Sequence, residues 1–459
     1  MKPFDQDRAR PSTPPPAAIA DLAPWALELL CESIRFRSVS GDEAALVRFL
    51  AREGERLGLG VDLWQATEGE IEALWRGEWS RRGLGEGGVP AHKPLAGRPT
   101  LVLKLAGRGT GPSLMFNAHS DVVSAPNPEL WRHDPWAGVL ENGQVYGRGA
   151  CDTKGPLVAA LWAMAALARE HPGGLDGDVM LEIVPGEEDC VGLGTMSSVA
   201  RGYRADASVI LEPTTNLPRC ASRAGCRFTI TATGRSVHGT VKWLGVDAIA
   251  IAHAAMAVVS AMETRWNDRT ADGLFAAYPI ARPMTIDTIK GGEWQGMVAD
   301  RCTFGGYLEL LPRDDWRERR GAFVRELRGG LAGVGIDPQS VTVEFTEQYA
   351  GHRLSPAGEP LCDLASRVYE FHTGRAFGSW GAFNSGCESG IRPGLHATPT
   401  VVFGPGDLAH AHAIDEHVAI ADVGLAAEMF GSLAVGWCNS GRAAASESCP
   451  VSPSKKESA

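Results

Sequence analysis

Four short apolar runs constrain this chain most: SLMFNA at 113–118, VMLEIV at 179–184, ASVIL at 207–211 and TVVF at 400–403. Each has the length of a strand buried on both faces, and such strands belong to sheets covered by helices. The segments between them agree. Within residues 42–57, Leu46, Phe49, Leu50 and Leu57 recur at helical spacing. GPLVAALWAMAALARE, from Gly155, is apolar nearly all round, as a buried helix is. Two further strands, GVDLWQA and TLVLKLAG, flank a long polar, glycine-rich insertion at 67–99. Alternation of this kind implies an α/β fold with a largely parallel central sheet flanked by helices.

Residues 221–350 follow another pattern. CRFTITATG reads as a strand, GVDAIAIAHAAMAVVSAMETRW as a helix, RPMTIDTI and CTFGGYLELL as strands, DDWRERRGAFVRELRGGLAG as a helix and SVTVEFT as a strand. The order βαββαβ is that of a ferredoxin-like α+β unit. It falls between the third and fourth apolar runs. The expected organisation is therefore a discontinuous domain, 21–220 and 351–438, with a smaller domain inserted at 221–350. Residues 1–20 read as a flexible proline-rich arm and 439–459 as a disordered tail.

Charge and cysteine usage narrow the function. The chain has 459 residues and a net charge of −11, which argues against a nucleic-acid partner. Its 10 cysteines are scattered, with no CxxC pair, as in a reduced, cytoplasmic protein. No apolar stretch reads as a membrane span, and the N-terminus lacks the apolar core of a secretory signal.

The ends of the four runs carry the chemistry. SLMFNA leads into His119-Ser120-Asp121, VMLEIV into the triplet Glu187-Glu188-Asp189, ASVIL into Glu212, and TVVF into a loop with His410 and His412. A fifth acid, Asp152, lies just before the buried helix. In open α/β sheets ligands bind beyond the carboxyl ends of the strands. Taken singly, each piece is ordinary: an HxD tripeptide is usually a surface turn, and an acid triplet usually a solvated loop. Delivered together to one edge, two histidines and several carboxylates suit a borderline divalent ion such as zinc. With one carboxylate shared, five ligands can hold two ions.

This set of segments resembles the zinc aminoacylase/carboxypeptidase family of metallopeptidases, which includes acetylornithine deacetylase, succinyl-diaminopimelate desuccinylase, aminoacylase-1 and carboxypeptidase G. The most specific stretches are FNAHSDVVSAPNPELWRHDPWAGVLENGQVYGRGACDTKG and VVFGPGDLAHAHAIDEHV; LEPT and GRSVHGTVKWLGVDAI add to them. The resemblance implies that His119 binds one ion, that Asp121 orients its ring, that Asp152 bridges two ions, and that Glu212 completes the first set. It implies His412 at the second ion, three residues before Asp415-Glu416. Aligned backwards from Gly192, Gly194 and Thr195, the triplet offers Glu188 as general base and Asp189 as metal ligand. An ungapped reading from the left makes Glu187 the base and Glu188 the ligand instead. His238, in the inserted domain, is implied to reach a neighbouring subunit's site and stabilise an oxyanion, with the inserted domain joining a homodimer.

The implied function is that of an amidohydrolase cleaving an N-acyl amino acid, with two divalent ions, Zn²⁺ first and Co²⁺ or Mn²⁺ as alternatives. A carboxypeptidase or dipeptidase acting on a short peptide with the same core is the nearest alternative. A non-catalytic metal or ligand binder is a different class, supported only by Asp189 where the family has Glu. GSWGAFNSGCESGIRPG is expected to line the pocket. Many relatives carry Arg where this chain has Glu309, so no partner for a substrate carboxylate is assigned there; Arg392 is the remaining candidate.

Overall fold

The computed structural model describes residues 14–74, 95–190, 192–267 and 272–441. Most of the expected arm, most of the expected tail and the middle of the 67–99 insertion lie outside these residues. The strands of the two main sheets, numbered along the chain, are β1 (Gly60–Trp64), β2 (Thr100–Leu105), β3 (Leu114–His119), β4 (Val179–Val184), β5 (Ala207–Ile210), β6 (Ala224–Thr233), β7 (Met284–Gly291), β8 (Arg301–Leu310), β9 (Val341–Tyr349) and β10 (Thr400–Val402). The longer helices are α1 (Ala18–Arg35), α2 (Ala44–Arg56), α3 (Gly155–Glu170), α4 (Ala248–Asn267), α5 (Trp316–Gly333), α6 (Glu359–Thr373) and α7 (Ile420–Cys438).

The central sheet runs β1-β2-β4-β3-β5-β10. The four apolar runs form its parallel part: β3 pairs with β4 and β5, and β10 with β5. β2 joins antiparallel to β4, and β1 antiparallel to β2. Parallel strands end at one edge, so His119, Val184, Ile210 and Val402 all lead into the same rim.

Alternate residues of these strands face different environments. Leu114, Phe116, Leu181 and Ile183 pack into one apolar core with α1, α2, α3, α6 and α7. The opposite face is partly polar. Asn117 Nδ2 donates to Glu182 Oε2 at 3.1 Å and to Thr195 Oγ1 at 2.8 Å, and Arg392 Nη2 donates to Glu182 at 2.7 Å. Arg392 is therefore a buried structural cation, which removes it as a partner for a substrate carboxylate.

Two expectations, one on a boundary and one on composition, differ from the structure. α1 begins at Ala18, inside the expected arm, because Ile19 and Leu22 are buried and Trp162 Nε1 donates to the Ile19 carbonyl at 2.9 Å. α7 is long and apolar enough to cross a membrane by length and composition, contrary to the expectation that no stretch would be. It packs instead in the core, with Val423, Ala427, Phe430 and Leu433 buried.

The second sheet, β7-β8-β6-β9, has the strand order of the βαββαβ unit. β6 alternates strictly: Cys226, Phe228, Ile230 and Ala232 face α4 and α5, where Phe323, Leu327 and Val259 meet them. Arg227 therefore faces the other way. The Asp315 side chain caps α5, accepting from Glu318 N. The chain enters this unit through Ala221–Ser222 and leaves it through His352–Arg353, and these two segments pair antiparallel.

Candidate metal centre

His119 is the last residue of β3, and its ring is buried. Its Nδ1 lies 2.8 Å from the Asp121 carbonyl oxygen. A carbonyl can only accept, so Nδ1 carries the hydrogen in the neutral ring and Nε2 carries the lone pair. That Nε2 lies 2.9 Å from Asp152 Oδ1. Two acceptors face one another at hydrogen-bond distance, an arrangement that needs a cation or a proton between them.

Asp152 sits in an irregular turn between Gly149, at φ 84°, and the start of α3; its peptide bond to Thr153 is cis. Glu416 holds this turn. Its Oε1 accepts from the backbone of Cys151 at 2.9 Å and of Asp152 at 3.1 Å, while Arg148 pairs with its other oxygen at 2.5 Å. The second Asp152 oxygen, Oδ2, lies 3.5 Å from His412 Nε2. The same nitrogen is 3.0 Å from Glu188 Oε1. His412 adopts φ 60°, in the left-handed region, and remains half exposed. Candidate ligand atoms of His119, Asp152 and Glu188 lie within 4.8 Å of one another. Glu212, two residues past β5, is buried beside this group, and burial and the Asp152 and Glu187 charges raise its pKa well above the usual carboxylate range. His410 instead packs against the His417 ring, 4.2 Å between centroids.

The acid triplet resolves differently from the first expectation. After Gly186, Glu187–Cys190 make a single helical turn. Successive residues on such a turn point about 100° apart, so three consecutive side chains cannot all meet one centre. Glu188 meets His412, and both Glu187 and Glu188 line the cavity. Asp189 turns away to Arg98, whose Nη2 is 3.0 Å from Oδ1 and Nη1 3.3 Å from Oδ2. This geometry places Asp189, expected as a metal ligand, on Arg98, and Glu188, expected as the base, beside His412. Asp121 also differs in detail. Its carbonyl, not its carboxylate, bonds the His119 ring, and Oδ1 is 3.8 Å from Nδ1. The carboxylate instead accepts from the backbone of Gly186, Glu187 and Glu188 at 2.9–3.1 Å and from Ser40 Oγ at 2.8 Å.

Electrostatics fit a cation-binding group. Burial raises Glu187 well above the usual range, with Glu188 and Asp152 adding to it against His119. Burial also raises Glu188, and His412 opposes it. Burial disfavours a charged His412, yet the Glu188 and Asp152 carboxylates outweigh it and hold the ring up at about 9. Carboxylates exceed imidazoles, and opposite charge is what such a cluster binds.

A cavity of about 510 Å³ opens from this group toward the inserted unit. Phe383, Asn384, Ser385 and Gly386 line one side, as the sequence pattern led us to expect. Asp287, Tyr307 and Glu309 line the far side. Arg227 reaches across, with its guanidinium 4.5 Å from the centre of the Tyr307 ring and Nη2 3.3 Å from the Glu188 carbonyl. His238 is exposed and does not line this cavity; its Nδ1 is 2.8 Å from Thr240 Oγ1 and accepts from Thr240 N. Sequence reasoning missed Arg227 and Arg98, and Glu43, whose Oε1 pairs with Arg98 Nη2 at 2.5 Å. Each acts through a partner far away in the chain, and no local pattern marks it.

The description of Peptidase family M20/M25/M40 matches residues 115–435. The chain belongs to that family. It is a metal-dependent amidohydrolase. Succinyl-diaminopimelate desuccinylase of Methylobacterium sp. (strain 4-46) is 34% identical over 337 residues, covering 70% of this chain and 79% of that protein. N-formyl-4-amino-5-aminomethyl-2-methylpyrimidine deformylase of Bacillus subtilis (strain 168) is 26% identical over 389 residues, covering 75% and 84%. Among solved structures, the di-peptidase Dug1p from Saccharomyces cerevisiae superposes with a TM-score of 0.71 at 13% identity, covering 92% of this chain and 97% of that one. At that identity the likeness concerns the fold of this M20-family chain.

Proposed function

We propose that this M20-family chain hydrolyses the amide bond of an N-acyl amino acid at a dinuclear centre. His119, Asp152 and Glu212 would hold one ion, and Asp152, Glu188 and His412 the other. The observation that carries this reading is the two-sided use of Asp152, with Oδ1 on His119 and Oδ2 on His412. Bound there, two divalent cations, Zn²⁺ first and Co²⁺ or Mn²⁺ as alternatives, supply Lewis-acid polarisation of the amide carbonyl and a more acidic water. Glu187 lines the cavity one residue before Glu188, which suits it to take the proton of the attacking water and pass it to the leaving amine. Asp121 keeps the His119 tautomer through its carbonyl and holds the acid turn through its carboxylate.

Residues 221–350 act as a lid and dimerisation domain on the 21–220 and 351–438 domain. Support comes from the large apolar side chains it exposes: Trp243, Leu244, Ile249, Ile289, Trp294 and Met297. Patches of this kind mark interaction surfaces, and His238 bridges to Met297 at this surface. In a homodimer His238 would serve the partner's site as an oxyanion donor. Among the described residues eight cysteines are free, which accords with a cytoplasmic enzyme.

A second reading concerns the amine side of the substrate. Burial pushes the Glu309 carboxyl up to about 7, with the Tyr349 hydroxyl bond opposing it, and Glu309 Oε2 has no hydrogen-bond partner among the described residues. An acidic wall accords with an amine-bearing N-formyl compound, as in the name of the Bacillus subtilis relative. Metal analysis followed by a panel of N-acetyl and N-succinyl amino acids, N-formyl amines and dipeptides tests both readings. Two ions per chain with turnover of an N-acyl amino acid is expected. Full activity in the metal-free protein would end the reading, and sole activity on N-formyl amines would select the second.

A further inference from the structure

We infer that Arg98 is a positioning residue for the metal centre: by holding Asp189 and Glu43 it sets the direction of the acid turn and with it the site of the second ion. This inference rests on the dinuclear reading above. Arg98 lies at the end of the insertion, just before β2, and is 2% exposed. Its Nε donates to Glu43 Oε1 at 2.9 Å and its Nη2 to the same oxygen at 2.5 Å. The opposite side of the guanidinium forms the two-point contact with Asp189. Nη2 also stands 3.9 Å from Asp121 Oδ2.

The acid turn therefore has two anchors. Asp121 grips the N–H groups of Gly186, just before it, and of Glu187 and Glu188 in it, and Arg98 grips the third acid side chain. Rotation toward the centre by one residue would bring Asp189 to the place of Glu188. The Arg98 pair opposes that rotation, because a buried carboxylate that leaves its guanidinium is left uncompensated. A planar fork engaged on two sides also fixes orientation as well as charge. The contacts described for Arg98 reach Glu43, Asp189 and Asp121, so its effect is transmitted through the turn.

The test uses the full chain with Arg98→Lys, Arg98→Met, Asp189→Asn and the Arg98→Met/Asp189→Asn double variant. Zn²⁺ titration calorimetry reads affinity, and the Co²⁺ absorption spectrum reads ligand geometry. Groups that orient metal ligands typically matter by about 10- to 100-fold in affinity. Arg98→Met and Asp189→Asn are each expected to weaken one of two Zn²⁺ steps by about 10-fold or more and to alter the Co²⁺ bands. The double variant should be no worse than Arg98→Met, and Arg98→Lys should recover part of the loss. If Arg98→Met fails to fold, Asp189→Asn and Arg98→Lys still decide the matter. Unchanged Zn²⁺ steps and Co²⁺ bands in those two variants would overturn the inference, even with a lowered melting temperature. Complete loss of one ion in Asp189→Asn with Arg98→Lys at wild-type affinity would overturn it too, making Asp189 a ligand. Wild-type protein that binds fewer than two ions would remove the dinuclear reading itself, which the variants alone cannot do.

Discussion

His119 and His238 illustrate two ways of placing a histidine. His119 ends a parallel strand of the central sheet, buried, with one ring nitrogen on a carbonyl and the other on a carboxylate. His238 follows a strand of the inserted sheet, exposed, with its ring folded back on Thr240. In the first region the fold commits the side chain to a chemical environment, because every parallel strand ends at the same rim. In the second the fold presents the side chain and leaves its environment open. A buried ionisable group must find partners within the chain; an exposed one can wait for a partner from outside.

The largest effects are therefore expected at the sheet edge. Glu188→Gln should remove one of two ions along with turnover. Glu187→Gln should keep both ions and lower turnover by about 10²- to 10⁴-fold, the usual contribution of a general base. Metal analysis beside steady-state rates separates the two. The opposite pairing of outcomes would restore the alignment in which Glu188 is the base.

His238→Ala should leave metal content unchanged and lower turnover by about 100- to 1,000-fold, as loss of an oxyanion donor does. Mixing it with Glu187→Gln should recover activity in mixed dimers, where one site has both its own Glu187 and the partner's His238. An unchanged rate in the single variant would reduce His238 to a surface residue.

A third test concerns the junction of the two regions. His352 lies there buried, with Nε2 donating to the Thr400 carbonyl at 2.8 Å. Burial lowers its pKa to about 4, although the Thr400 bond opposes this. The unfolded chain takes up the proton first as pH falls below the ordinary value of about 6.5. The contribution is thus complete above that pH and lost toward pH 4, at most about 3 kcal/mol. Denaturant unfolding from pH 7 to 4 should show this loss, and His352→Gln should flatten it. A slope identical in the variant would assign the pH dependence elsewhere.

The smallest effect is expected on the exposed surface of the inserted unit. Trp294→Ser should weaken self-association by about 10-fold, the order of a single interface anchor, as read by sedimentation across a dilution series. A monomeric wild-type protein would remove the dimer reading and the trans role of His238 together.

The sheet, the inserted βαββαβ unit and the gathering of His119, Asp152, Glu212 and His412 were legible along the chain, because hydrophobic period and strand ends are local properties. The direction of each acid in the triplet was not. Glu187, Glu188 and Asp189 are equivalent as residue types to within a methylene. Which two face the cavity depends on an arginine 91 residues away and on three N–H groups gripped by Asp121. α7 carries the same lesson: its composition suits a membrane as well as a core, and the packing of α3 against it settles which. Local sequence sets what a segment can form and which groups it carries. Packing across long separations sets where each side chain points, because a buried charge is held only by the partner that the whole fold brings to it.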